Sequence, residues 1–118
     1  MVVTYMKKIV AGVIVFALLA GGWFVLRQGI TVEIRNVSDE PMKGLVVHVT
    51  GNSYPIGDLL AGETKSIAVA PTGESHVELE FEGHERLVVE CYFEPGYSGL
   101  IKVKVTPMKV ISVDDGIR

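Results

Sequence analysis

His76-Val77-Glu78-Leu79-Glu80-Phe81-Glu82 alternates charged and apolar side chains without a break. Successive residues of a strand point to opposite faces. Val77, Leu79 and Phe81 therefore share one face, and His76, Glu78, Glu80 and Glu82 share the other. A helix would scatter the same residues around its circumference. The stretch predicts a half-buried strand with an apolar face toward a core and a charged face toward water.

The same period recurs on both sides of it. Ile30, Val32 and Ile34 alternate with Thr31, Glu33 and Arg35. Leu45, Val47 and Val49 line one side of a strand over 45–50, which leaves His48 opposite in phase and exposed. A strand is predicted over 64–70, entered from the turn at 59–63 and broken by Pro71-Thr72-Gly73. Leu87, Val89, Cys91 and Phe93 share a face over 86–93, and Ile101, Val103 and Val105 alternate with Lys102 and Lys104. Tyr54-Pro55-Ile56 is a short edge piece at most, because proline cannot donate to a ladder. Residues 108–113 are a candidate last strand, and 114–118 read as a polar tail.

Seven or so short strands, with turn signals about every ten residues and no second helix, predict an all-β fold. The pattern suits an antiparallel β-sandwich of immunoglobulin-like type, with a small barrel as the alternative.

Outward from the strands, residues 9–26 (Ile9 to Leu26) form an unbroken apolar run, with Lys7 and Lys8 before it and Arg27 after it. As a helix the run would be roughly 27 Å long, near the thickness of a bilayer core. The expected layout is a cytoplasmic tail at 1–8, a single transmembrane anchor at 9–27 and an extracytoplasmic domain at 28–118. A cleaved signal peptide is the competing reading, since Ala20-Gly21-Gly22 offers small residues for cleavage. Trp23 to Leu26 prolong the run past that point, and Trp23 suits a membrane interface, so a retained anchor is favoured. Gly22 stands where a bacterial lipobox needs cysteine. The two lysines before the run favour a cytoplasmic N-terminus and a periplasmic or otherwise external domain.

Lys7 and Lys8 precede the run while all 14 Asp and Glu follow it, which leaves 9 Lys and Arg against 14 acids and a net charge of −5 from Arg27 onward. That charge argues against nucleic acid as a partner. Cys91 is the single cysteine, so no intramolecular disulfide forms, and its phase with Leu87 and Phe93 predicts an inert, buried thiol.

Candidate sites are few. His76, Glu78, His84 and Glu85 could contribute to a metal site. Neighbours on one strand face stand about 6.5–7 Å apart, however, and one strand rarely supplies a coordination sphere. A solvated face paired with Lys102 and Lys104 of another strand is the simpler expectation. Ser53, Ser66, Ser75 and Ser98 lack the G-x-S-x-G setting of a nucleophile elbow. No Gly-rich phosphate motif stands before a helix, and no cofactor is expected. Tyr97, inside Pro95-Gly96-Tyr97-Ser98-Gly99, is either an exposed contact for a partner or a residue that locks a corner through its hydroxyl; the structural role is favoured.

The stretch Ile56-Gly57-Asp58-Leu59-Leu60-Ala61-Gly62-Glu63-Thr64-Lys65-Ser66-Ile67 resembles a turn signature of immunoglobulin-like bacterial export domains. Val32-Glu33-Ile34-Arg35-Asn36-Val37-Ser38 resembles the opening of the FxLYD and CARDB-type groups. The whole layout is similar to small bacterial proteins with one membrane helix and one β-domain. The resemblance covers about a third of the domain and implies fold, not activity. Anchored copper chaperones share the layout but carry paired cysteines, and here Cys91-Tyr92-Phe93 has one. Pilin-like proteins need a glutamate near the start of the helix, and none is present. The expected function is non-enzymatic: a membrane-anchored domain that binds another protein, with metal or small-ligand binding at 76–85 as the alternative.

Overall fold

The structure, a computed structural model, describes residues 29–118. The expected tail at 1–8 and anchor at 9–27 lie outside the described residues. Among those described, no helix is long and apolar enough to cross a membrane.

Eight strands follow one another: β1 (Ile30–Asn36), β2 (Met42–Val49), β3 (Asn52–Leu59), β4 (Thr64–Val69), β5 (Ser75–Glu80), β6 (Leu87–Phe93), β7 (Gly99–Val105) and β8 (Val110–Ile117). They form two four-stranded sheets, ordered β4-β1-β7-β8 and β3-β2-β5-β6. The domain is an all-β, two-sheet sandwich. Pairing is antiparallel except between β1 and β7, which run parallel.

Alternation places the core as the sequence predicts. Val32 and Ile34 of β1, Leu45 and Val47 of β2, Val77 and Leu79 of β5, Val89 and Phe93 of β6, and Ile101 and Val103 of β7 are buried between the sheets. Cys91 is half-buried against this core, and its thiol is pushed up first by that burial and further by the charge of Asp115.

Two strands depart from expectation. β3 is a full strand rather than a short piece, because it lies at a sheet edge where Pro55 forfeits no second ladder. β8 continues through the expected polar tail: Asp114 lies opposite Lys102, and the buried Ile117 lies opposite Gly99. An edge strand exposes much of its length, so polar residues there do not argue against a strand.

The loops collect at two ends. Gly29 carries the chain into β1, and its carbonyl accepts from Gly99 N. Thr50 and Thr72 are bonded to one another there, and Ser98 to Arg118. The far end holds the loops 37–41, 60–63, 81–86 and 106–109, tied by bonds such as Gly62 N to Asn36 O and Glu82 N to Lys43 O.

Candidate functional site

Two features of the surface could carry function. The first is a polar ladder on the outer face of the β3-β2-β5-β6 sheet. Register puts Ser53 of β3 and Glu78 of β5 opposite His48 of β2. His48 Nε2 lies 2.9 Å from Glu80 Oε1, and its Nδ1 lies 2.7 Å from Ser53 Oγ. Arg86 bridges Glu80 at 3.6 Å and Glu78 at 3.4 Å, and His76 Nε2 closes the row on Glu78 at 2.8 Å.

Ser53, His48 and Glu80 thus stand in the hydrogen-bonded order of a serine nucleophile, base and acid. Sequence reading had no route to this set, because it needs the sheet order. The site has no walls, however. Glu80 is open to water and shared with Arg86. The clefts between β6 and β8, beside Gly29 and on the outer face of the other sheet lie elsewhere. A nucleophile of this kind gains its power from a dry pocket with aimed donors. Here the row ties three strands, and the loop that leads into β6, together across a wet face.

The expected partners of this face are corrected. Lys102 and Lys104 belong to β7 in the other sheet, beside Glu33 and Arg35 of β1 and opposite Asp114 and Ser112 of β8. Histidines and Arg86 take their place. Of the metal candidates, His76 and Glu78 meet. His84 instead lays its ring against Phe81, with centroids 5.1 Å apart. Among the described residues no three metal-ligating side chains converge.

The ladder makes stability pH-dependent. The His76 hydrogen bond holds Glu78, and the His48 hydrogen bond holds Glu80, below an ordinary value near 4.5. A lowered folded-state value stabilises the fold above the unfolded value and loses that contribution as pH falls through the folded one. The urea midpoint is therefore expected to fall modestly from about pH 5 to about pH 3, because exposed pairs contribute little. Glu78→Gln should reduce that dependence and Glu78→Gln with Glu80→Gln should flatten it; an unchanged slope in the double variant would remove the ladder as its cause.

The second feature is an open cleft between the free edges of the two sheets. Val88 and Glu90 of β6 and Ile111 of β8 line it, with Met108 and Lys109 from the turn before β8. Its volume is about 520 Å³, within the range of binding clefts. Val88 is 54% exposed, Ile111 47% and Met108 76%. The cleft occupies the half of the two strands away from Gly29, from Arg86 to Glu90 on one side and from Met108 to Val113 on the other. Asp114 and Asp115 give the Gly29 half of β8 a charged edge, the usual protection against unwanted pairing. The far half, Val110 to Val113, has no such charge.

Tyr97 lies at neither feature. It is half-buried at the Gly29 end, packed on the core and edge-on to Tyr92 at 6.4 Å. Its hydroxyl bonds no described residue. The corner lock expected of it belongs to Tyr54, whose hydroxyl accepts from Ala70 N at 2.9 Å.

No protein-family model matches the chain, and no curated protein matches it. Among solved structures it is similar to the NMR structure of a protein from Eubacterium rectale, at 12% identity and a TM-score of 0.46, over 72% of this chain and 88% of that one.

Proposed function

We propose that residues 28–118 are an extracytoplasmic protein-binding or accessory domain of the immunoglobulin-like sandwich class. Residues 9–27 anchor it as a single transmembrane span, with residues 1–8 in the cytoplasm, and it acts without catalysis. The cleft between β6 and β8 carries this reading. Monomeric domains rarely leave apolar side chains together beside an unpaired sheet edge unless a partner covers them. The occupant is a protein segment with apolar side chains for Val88, Ile111 and Met108, followed by an acidic group for Lys109. Supporting this choice, Lys109 makes no ion pair among the described residues, while Arg86 is already engaged by Glu78 and Glu80.

The test uses the full chain in native membranes with a photo-crosslinking residue at Ile111. One protein adduct is expected, and Met108→Asp should reduce it at least tenfold, as loss of a central apolar contact does. The same adduct formed equally from Glu33, on the outer face of the opposite sheet, would refute the cleft as the binding surface.

A further inference from the structure

The Gly29 end of the sandwich differs from the rest of the surface. A shallow cleft of about 250 Å³ surrounds the point where the chain enters β1. Gly29, Ala70, Pro71, Pro95 and Tyr97 line it with Ile30, Val69 and Gly96, and none of these carries a charge. By contrast, charged side chains line the cleft on the outer face of the β4-β1-β7-β8 sheet, among them Glu33, Arg35 and Lys102.

Covalent geometry limits what this end can face. Leu26 closes the apolar run and Ile30 opens β1. The four peptide steps between them span at most about 14 Å when fully extended. The headgroup layer on one side of a bilayer is about 5–7 Å thick. A gap of at most about 9 Å is then left between the headgroups and the loops, less than the thickness of one packed sheet layer.

We propose that the loops 70–74 and 94–98 rest on the headgroup layer of the membrane, with Tyr97, Pro95 and Pro71 at the interface. This rests on the reading of residues 9–27 as an anchor. Tyrosine suits the position because its ring is apolar and its hydroxyl polar, the pairing that concentrates aromatic residues at membrane interfaces. The acids at this end are Glu74, Glu94 and, two residues inside the end of β8, Asp115; Arg118 and Arg27, which follows the apolar run, oppose them. Glu94 also accepts a hydrogen bond from Tyr92, which raises the Tyr92 hydroxyl above its usual range. A near-neutral to acidic end gains nothing from anionic lipid, so the surface it meets is zwitterionic.

Strands of 7 residues, such as β7, then hold the far end about 23 Å above the interface. Met108 stands at that height, with Val37 and Leu60 on neighbouring loops. The membrane would then hold the β6–β8 cleft in the half of the sandwich away from the lipid.

The full chain in phosphatidylcholine nanodiscs, with bromine on the upper acyl chains, tests the proposal. In a Trp23→Phe background, Tyr97→Trp should lose most of its emission and Leu60→Trp should keep it. Pro71→Trp, on the adjacent loop, should behave like Tyr97→Trp and covers the case in which that variant fails to fold. Replacing part of the phosphatidylcholine with phosphatidylglycerol should not deepen the quenching. Quenching of native Trp23 without quenching at 97 or 71 would overturn the docking and leave the anchor standing. An unquenched native Trp23 would overturn the anchor, and the docking with it.

Discussion

Gly99→Ala is expected to destabilise the domain by about 4 kcal/mol, a large share of the 5–15 kcal/mol typical of a whole domain. Gly99 opens β7 with φ of 127°, a region that side chains rarely adopt. A methyl group there would collide with the carbonyl oxygen of Gly116 and stand 3.1 Å from Ile117 Cα. Both obstacles are backbone of β8, so no side chain can rotate away. The strand pair would have to separate where Gly99 lies opposite Ile117, and where Gly99 N also bonds Gly29 O. Gly96 supplies the control. Its φ is 95°, yet a methyl group there meets nothing within 4 Å. Gly96→Ala should therefore lose only the backbone term, about 1–3 kcal/mol. Urea unfolding of the full chain reads both variants, and equal losses would show that the approach of β8 is not what requires glycine at 99.

Gly99 also marks where sequence reading stops. Period-two alternation belongs to a single strand, so β1, β5 and β7 and their buried faces are legible in the residues alone. Strand order is not encoded locally. Lys102 and Lys104 are natural partners for Glu78 by charge, but the two sets lie in different sheets. The order β3-β2-β5-β6 sets Ser53, His48 and Glu80 side by side from three separate strands. Edge strands mislead in the opposite sense. Pro55 in β3 and Asp114-Asp115-Gly116 in β8 are tolerated because each strand pairs on one side only. The cleft is illegible for the same reason: nothing in the residues around Val88 and Ile111 says that their strands lie at the free edges of two facing sheets. The corner bond expected of Tyr97 is made by Tyr54 instead, because turn residues around an aromatic say nothing about where its hydroxyl reaches.

Asn36→Ala is expected to cost about 3 kcal/mol, more than a turn residue usually carries. Asn36 ends β1 wholly buried. Its Nδ2 donates to Glu40 O at 2.6 Å and Leu59 O at 3.2 Å, and its Oδ1 accepts from Ser38 N at 3.0 Å and Ser38 Oγ at 2.7 Å. Its backbone bonds Glu63 O and Gly62 N. One side chain thus ties the β1–β2 crossing to the β3–β4 crossing. Removing it strips buried groups of partners, at about 1–3 kcal/mol for each left unsatisfied. Asn36→Asp separates two explanations. If the residue serves only the local turn through its oxygen, aspartate does that equally and stability stays near wild type. If the amide donors matter, aspartate turns a buried carboxylate toward two carbonyl oxygens, and its pKa rises above the unfolded value. The penalty is then full above the folded pKa and shrinks as pH falls toward the unfolded one, because the protonated acid regains a donor. The stability gap between Asn36→Asp and wild type should therefore narrow in acid, opposite in sign to the loss expected from Glu78 and Glu80. Loops 37–41 and 60–63 carry the exposed Val37 and Leu60, so the same variant should raise hydrogen exchange there first. A pH-independent gap, with exchange unchanged in both loops, would show that the two crossings hold without Asn36.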